Sequence, residues 1–179
     1  MSISVRAITA ADIEGRLPAL TLLLKDSVNG GASLGFLAPL EDDEGRDYWR
    51  SLGPELEAGS RLLLAASAGD RLVGSGQLTM PRLPNARHRA ELHKLFVDTR
   101  QRGQGIGRAL MNALHGAARE RGRSLILLNT RRGEPPEGFY KGLGYREVGV
   151  VPGYTVGLAG ERYDTVVLYK EIEGPGPTG

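Results

Sequence analysis

The segment from residue 90 to residue 130 restricts the fold more than any other part of the chain. AELHKLFV (90–97) has the composition of a strand, and SLILLNT (124–130) is almost wholly apolar, which is typical of a buried parallel strand. Between them, the run 108–122 places apolar side chains three and four residues apart, which predicts a helix that stops at Gly122. Strand, helix and strand in this order predict a right-handed crossover between two parallel strands.

The flanking sequence predicts further strands and helices on both sides of this crossover. Thr9 with Asp12 three residues later is typical of a helix N-terminal cap, and the tripeptide AGD between two apolar runs is typical of a hairpin. Pro54 either interrupts the second helix or begins a fresh helical turn. The predicted elements are a strand over 3–8, a helix to about Leu24, a helix over 43–57, hairpin strands over 61–67 and 71–80, a short helix over about 137–143, and closing strands YREVGV and TVVLYKE.

The composition is that of one globular domain. A chain of 179 residues can bury a single core, so we expect one domain over residues 1–170 and a disordered tail over 171–179. The absence of cysteine excludes disulfides, thiolate metal sites and a cysteine acyl-enzyme. The three histidines, His88, His93 and His115, lack metal-ligand spacing, so we expect no metal.

Charge and hydropathy indicate neither a nucleic acid nor a membrane as the partner. The formal net charge of +2 is too small to argue for nucleic acid, and the basic stretch PRLPNARHR lacks interleaved aromatic residues. The first residues are too polar for a signal peptide, and no apolar run approaches the length of a membrane span. We therefore expect a cytoplasmic protein.

A run of alternating glycines, TRQRGQGIGRAL (99–110), stands at the start of the predicted helix. It lacks the third glycine of a dinucleotide fingerprint and the Gly-Lys-Ser/Thr end of a P-loop. What remains is Arg102-x-x-Gly105-x-Gly107 on a strand-to-helix turn. Backbone amides without neighbouring side chains and the positive end of a helix dipole favour an anion there, so the run predicts a phosphate site. The alternative is a flexible glycine turn with solvated arginines.

AELHKLFVDTRQRGQGIGRALM and GFYKGLGYREVG together resemble the GCN5-related N-acetyltransferase (GNAT) family. The resemblance implies an α/β (α+β) fold, with a mixed, twisted sheet of about six to seven strands, flanked by helices and splayed between its two parallel central strands. It also implies acetyl-coenzyme A as the cofactor, with its pyrophosphate on the glycine loop and its pantetheine arm along the preceding strand. The cofactor-binding residues implied in this way are Leu95, Phe96, Val97, Arg102, Gly103, Gln104, Gly105, Ile106, Gly107 and Arg108.

Acetyl transfer from a thioester to an amine requires a base, a donor that polarises the carbonyl, and an acid for the departing thiolate. A regular strand over 90–97 would place Glu91, His93, Leu95 and Val97 on one face, so Glu91 would look toward the acceptor if Val97 flanks the thioester. We expect Glu91 to be the base, directly or through water, and His93 is the second candidate. The alternative for Glu91 is a structural ion pair with a nearby arginine. A bulge near Val97 would free a polarising amide.

Tyr140 in EGFYKGLGY is the expected acid. Phe139 and Leu143 are spaced to form the buried stripe of a short helix, which leaves Tyr140 about a quarter-turn away. In the family, a tyrosine at this place hydrogen-bonds the coenzyme sulfur and can protonate the thiolate. The alternative is an amphipathic aromatic at the edge of the core.

Two positions depart from the family's pattern. A member that acetylates a β-lactam amino acid has a carboxylate at the end of the strand that corresponds to SLILLNT, whereas this chain has Asn129. An amide can position an amine or a water but cannot accept a proton at neutral pH. Many members begin the tyrosine helix with an asparagine that contacts pantetheine, and this chain has Gly-Glu-Pro-Pro over 133–136.

The resemblance implies an N-acetyltransferase that acts on a small-molecule amine, such as an amino-acid-like antibiotic or toxin, by direct attack in a ternary complex. The loop SVNGGASLGF, with Ser27, Asn29 and Ser33, either walls the acceptor pocket or is a structural turn. The other functions that the sequence allows are a protein or peptide N-acetyltransferase and a coenzyme-A-binding regulatory module without turnover. The chain is expected to be a monomer or a homodimer.

Overall fold

The computed structural model describes residues 2–173 as a mixed seven-stranded sheet with helices on both faces. Short 3₁₀ turns at Ala10–Asp12, Pro84–Ala86 and Thr99–Gln101 separate some of the elements. In chain order the elements are β1 (Ile3–Ala7), α1 (Ile13–Asn29), α2 (Asp42–Ser51), α3 (Gly53–Glu57), β2 (Arg61–Ala68), β3 (Arg71–Thr79), β4 (Arg89–Val97), α4 (Ile106–Glu120), β5 (Leu125–Arg131), α5 (Pro135–Lys141), β6 (Arg146–Val156) and β7 (Arg162–Glu171).

The sheet order β1-β2-β3-β4-β5-β7-β6 confirms the predicted fold class and the crossover. β4 and β5 are parallel, whereas all other neighbouring strands are antiparallel. The parallel pairing joins only residues 89–91 to residues 125–127. Beyond Glu91 and Leu127 the two strands diverge, and the sheet opens at its centre.

Two apolar cores lie on opposite faces of this sheet. Leu110, Met111 and Leu114 of α4 belong to the core on one face. Leu20 of α1 and Trp49 of α2 belong to the core on the other face. All five side chains are completely or almost completely buried, which at about 1.5–3 kcal/mol for each large apolar side chain makes both layers essential to the fold.

Most helix ends lie within a few residues of the positions predicted from capping residues, glycine and proline in the sequence. The backbone N–H and the hydroxyl of Thr9 both donate to Asp12 in a capping box, as predicted. The first helix continues past the predicted end at Leu24, because Ser27 and Val28 are also buried against the sheet. A break at Leu52 divides the predicted second helix, and Pro54 begins the fresh turn α3.

The prediction of one face for Glu91, His93, Leu95 and Val97 was wrong, because β4 contains a bulge. Against β3, the three residues 75–77 span the same stretch as the four residues 93–96, so β4 holds one extra residue. The extra residue shifts the side-chain alternation by one position. Glu91 and His93 therefore face the α1–α2 side, whereas Leu95 and Val97 pack into the core on the α4 side.

The ordered chain extends beyond the predicted domain end at residue 170. Glu171 is the last residue of β7, and the backbone N–H of Ile172, whose side chain is buried, donates to the carbonyl of Ser124 at 2.9 Å. Residues 171 and 172 thus belong to the sheet, and the rest of the predicted tail from residue 174 lies outside the described residues. Within residues 2–173 no helix is both long and apolar enough to cross a membrane.

Close packing of α4 against the bulged strand predicts that Gly76→Ala destabilises the fold. A Cβ at Gly76 would lie 2.9 Å from Cδ1 of both Leu95 and Leu114. We expect the free energy of unfolding to fall by about 1–3 kcal/mol, as is typical of overpacking. Gly116→Ala is the control, because the added Cβ meets open space within α4 and should stabilise by about 0.5–1 kcal/mol. Equal effects of the two changes in urea unfolding would contradict this packing.

Candidate active site

A cleft of about 640 Å³ lies where β4 and β5 diverge. One wall is residues 92–97 of β4, and the facing wall is residues 128–131 of β5. Residues 101–108, apart from Gln104, close one end. Residues 30–34, after α1, add a third wall, and 134–136 with Phe139 and Tyr140 add a fourth.

The glycine loop forms a backbone cradle at the start of α4. Gly103 and Gly105 have φ values of 77° and 80°, in the left-handed region that glycine adopts without strain. Gly105 is the N-cap residue of α4, which begins at Ile106 rather than at the predicted Arg108. A Cβ on Gly107 would lie 3.4 Å from the ring of Phe139, so glycine lets α4 approach α5 closely. The exposed Arg102 and Arg108 add positive charge to this end of the cleft.

Two carboxylates, those of Asp26 and Asp98, hold the residues that lead into the glycine loop. Asp26 of α1 accepts hydrogen bonds from the backbone N–H of Thr99 at 2.7 Å and from its hydroxyl at 2.8 Å. Asp98 accepts the backbone N–H of Arg100 and forms an ion pair with Arg71. These bonds lower the pKa of Asp98, although burial of the carboxyl opposes the shift. The loop is therefore held on a rigid base, and α1 is tied directly to it.

Beyond Glu91, the edge of β4 that faces the cleft has no strand partner. The register with β5 stops at Glu91, and the bulge removes Lys94 from the register with β3. Lys94 has a φ of 46°, and among residues 2–173 it is the sole non-glycine residue with a positive φ. Backbone groups along this edge are available to an extended ligand, because buried polar groups of the main chain require partners. The sequence suggested a bulge near Val97, and the structure has the bulge three residues earlier, at Lys94.

Tyr140 lies at the cleft on α5 and is the buried residue of that helix, at 7% exposure. The prediction that Phe139 and Leu143 form the buried stripe was wrong, since both are only partly buried. The helix begins at Pro135, two residues earlier than predicted, and the face that it buries is the one that carries Tyr140. Burial raises the pKa of Tyr140 well above its usual range, and the side chain packs edge-on against Tyr145. The hydroxyl therefore keeps its proton at neutral pH.

Glu91 lies outside the lining of the cleft, at the point where β4 and β5 begin to diverge. Its carboxylate is 3.4 Å from Nη1 of Arg89 and 3.8 Å from Nε2 of His93. His93 does line the cleft, and its Nε2 is 3.0 Å from the hydroxyl of Thr79. Burial and, secondarily, the charge of Arg61 lower the pKa of His93, while Glu91 opposes the shift. The imidazole is therefore neutral at pH 7.

On the face of the sheet opposite α4, only some of the residues predicted from the sequence lie at the cleft. Asn129 is exposed and lines the cleft, as does Ser33. Ser27 is instead buried within α1, and the side-chain oxygen of Asn29 accepts the backbone N–H of Leu40 at 3.0 Å. Lys94 and Arg131 also line the cleft, and neither was predicted from the sequence. For Lys94, the sequence signal was a charged side chain in the interior of the predicted strand AELHKLFV.

Comparisons with known proteins decide the family. The model of the acetyltransferase (GNAT) family matches residues 32–145. This chain belongs to the GNAT family. Over 68 residues it is 44% identical to an uncharacterized N-acetyltransferase of Methanocaldococcus jannaschii; the match covers 36% of this chain and 29% of that relative.

Solved structures share the fold over almost the whole chain. Ribosomal-protein-alanine N-acetyltransferase of Brucella melitensis superposes with a TM-score of 0.74 at 22% identity, over 94% of this chain and 99% of that one. The yncA protein of Salmonella typhimurium, solved with its cofactor acetyl-CoA, gives a TM-score of 0.76 at 15% identity, over 100% of this chain and 99% of that one. At these identities the likeness is one of fold.

The residues of this GNAT chain fit an acyl-coenzyme A. Left-handed glycines, the N-terminus of the 15-residue helix α4 and two exposed arginines suit a diphosphate, and the free edge of β4 suits an extended amide-bearing arm. Residues 2–173 contain no group of three or more His, Cys, Asp or Glu side chains that could hold a metal ion.

The geometry of the loop predicts that Gly105→Ala weakens coenzyme A binding by about tenfold or more, which corresponds to about 1.4 kcal/mol. Gly122→Ala is a matched control, because Gly122 has a φ of 68° at the other end of α4 and lies outside the cleft. Both changes strain a left-handed residue by about 1–2 kcal/mol, so both should lower stability. Titration calorimetry with coenzyme A should show weakened binding for Gly105→Ala alone, and equal affinities would contradict the cradle.

Proposed function

We propose that the protein is an acetyl-coenzyme A-dependent N-acetyltransferase that acetylates a small-molecule amine by direct attack in a ternary complex. The observation that carries the proposal is the single cleft at the divergence of β4 and β5. It brings the glycine cradle, the buried Tyr140 and the acceptor-side residues His93 and Asn129 together. Bound acetyl-coenzyme A would supply the activated acetyl thioester.

The chain's own residues supply binding and proton transfer. Residues 103–108, with Arg102 and Arg108, hold the diphosphate, and residues 95–97 hold the pantetheine arm through their backbone. Gln104 is exposed and lies outside the cleft lining. Asn129 positions the amine or a water, since its amide cannot take a proton.

His93 and Glu91 act as a pair in deprotonating the amine. His93 lines the cleft and is neutral at pH 7, so it can accept the proton directly or through a water. The carboxylate of Glu91, 3.8 Å from Nε2, stabilises the resulting imidazolium. For Glu91 to act as the base, as predicted from the sequence, a bridging water would have to connect its carboxylate to the cleft.

Tyr140 serves as the acid through its hydroxyl, which no side chain among residues 2–173 hydrogen-bonds. The apolar surroundings that raise the pKa of Tyr140 also raise the basicity of a thiolate formed beside it, because both charged forms are desolvated. The two effects offset each other, so the raised pKa of Tyr140 does not prevent proton donation to the departing sulfur.

A likeness beyond the family supports a small, amino-acid-like acceptor. VNGGASLGF, AGSRLLL, RAELHKL and EGFYKGLGYREVG resemble tabtoxin resistance protein, which acetylates a β-lactam amino acid. An antibiotic- or toxin-modifying role follows from this likeness, and Asn129 in place of a carboxylate argues for a different substrate. The competing functions are peptide acetylation, which the Brucella neighbour's name describes for that protein, and acyl-coenzyme A binding without turnover.

Release of coenzyme A thiol separates these functions. We expect release with small amino-acid-like amines and none with short peptides. Tyr140→Phe should lower kcat by about 10²-fold or more, the usual range for a general acid, and leave coenzyme A affinity unchanged. Tyr145→Phe is the control, because that hydroxyl contacts His115 at 2.9 Å instead of the cleft. Release with peptides alone would move the protein to the peptide-modifying class, and no release would support the binding module.

The pH dependence of kcat/KM distinguishes the two base assignments. If His93 is the base, wild-type activity falls on the acid side with a midpoint below about 6.5, the ordinary histidine pKa. Glu91→Gln then moves the midpoint to lower pH, because Glu91 raises the pKa of His93, and His93→Gln abolishes the acid limb. An acid limb that survives His93→Gln and disappears in Glu91→Gln would assign the base to Glu91.

A further inference from the structure

Lys94 occupies a costly position on the cleft wall. A positive φ in a non-glycine residue is unfavourable and persists where the surrounding structure enforces it, and Lys94 has a φ of 46°. Here the bulge in β4 enforces it and turns the side chain toward the α1–α2 side of the sheet. The strained residue thus delivers an ammonium group to the acceptor side of the cleft.

The surroundings of this ammonium contain no negative charge. Nζ lies 4.8 Å from the ring centre of Phe36 and 4.9 Å from that of Tyr48, and it donates to the carbonyl of Leu34. Among residues 2–173 no carboxylate lies within salt-bridge distance of it. Burial, followed by the charge of Arg61, lowers the pKa of Lys94. A half-buried cation without a counter-ion is unfavourable until an anion joins it.

Arg131 presents a second cation from the β5 wall. Ile126 and Leu128 belong to the core under α4, so strand alternation places Asn129 and Arg131 on the opposite, acceptor side. The guanidinium carbon lies 3.8 Å from the ring centre of Tyr163, and the buried Nε has no hydrogen-bond partner among the described residues. Like Lys94, Arg131 has no carboxylate within salt-bridge distance in residues 2–173.

The cations of the cleft divide into two groups by position. Arg102 and Arg108 flank the glycine cradle, where they suit the coenzyme's diphosphate. Lys94 and Arg131 lie instead on the two diverging strands, and Glu134 is the sole acidic residue of the lining. The positive charges of Lys94 and Arg131 are therefore not needed to bind the diphosphate.

We propose that Lys94 and Arg131 bind a carboxylate of the acceptor, so that the preferred acceptors are free amino acids. This inference rests on the proposed function and names its substrate class. An ammonium and a guanidinium form charge-assisted hydrogen bonds with a carboxylate, which are stronger than neutral ones. The α-carboxyl next to a peptide's N-terminal amine is tied up in an amide, so the same two cations disfavour peptides.

Matched acceptors test the inference directly. Thiol release at saturating acetyl-coenzyme A is compared for each amino acid of a panel, including a β-lactam amino acid, with its carboxamide and with the amine that lacks the carboxyl. For the preferred amino acid we expect kcat/KM to exceed those of its two partners by at least about tenfold, equivalent to about 1.4 kcal/mol. Lys94→Met should reduce this preference to about threefold or less, whereas Lys94→Arg should retain most of it.

Arg131→Met should likewise reduce the preference, whereas Arg119→Met, an exposed change on α4 outside the cleft, should leave it intact. Equal kcat/KM values within each set for the wild type would overturn the inference. So would a Lys94→Met variant that slows all acceptors alike, because a lysine that merely holds residues 34–36 on the sheet predicts that result.

A binding measurement separates this inference from the proposed function. If no amine of any kind releases thiol, the proposed function fails, and the inference is decided by the thermal unfolding midpoint of the protein saturated with coenzyme A. A greater rise of the midpoint with an amino acid than with its carboxamide, lost in Lys94→Met, supports the carboxylate site. Equal rises, or no rise with either compound, refute it.

Discussion

The short parallel pairing between β4 and β5 is the constraint on which the rest of the structure depends. Three residues on each strand are in register, after which the strands separate and leave main-chain groups without strand partners at the centre of a buried sheet. Such groups require hydrogen bonds, so the gap is a ready site for an extended, amide-bearing ligand. On the edges away from the gap, β5 pairs with β7 and β4 pairs with β3. Each half of the sheet therefore stays paired although β4 and β5 separate.

The ends of α1 and α4 meet at this gap and connect its two binding functions. Asp26, near the end of α1, holds the backbone and hydroxyl of Thr99, which stands just ahead of the glycine cradle. The same helix leads directly into residues 30–34, which form an acceptor-side wall. One carboxylate therefore connects the segment before the glycine cradle to the helix that leads into residues 30–34, on the opposite wall of the cleft.

Local sequence patterns predicted the crossover, the glycine turns and the helix stop at Gly122, because each depends on residues close together in the chain. The side-chain faces of β4 could not be predicted in the same way. Whether Lys94 is an extra residue depends on its register against β3, and that register is set by α4, which packs Leu114 next to Gly76. The burial of Tyr140 was missed for a related reason, since the buried face of the short helix α5 depends on its packing, which brings Tyr140 against Tyr145. Site residues that lie on regular segments were thus predictable, whereas those next to a tertiary irregularity were not.

The electrostatic arrangement of the cleft follows from where the carboxylates lie. Asp26 and Asp98 have their charges directed into the fold, toward Thr99, Arg100 and Arg71, and Glu91 is paired with Arg89 where β4 and β5 begin to diverge. Among the residues that line the cleft, the basic side chains therefore outnumber the one acidic side chain, that of Glu134. In the proposed complex the coenzyme's diphosphate would neutralise one end of that field, and Lys94 and Arg131 on the diverging strands would still lack a carboxylate within salt-bridge distance in residues 2–173. The acceptor carboxylate proposed above would supply that second anion, and water excluded by bound coenzyme A would strengthen the attraction.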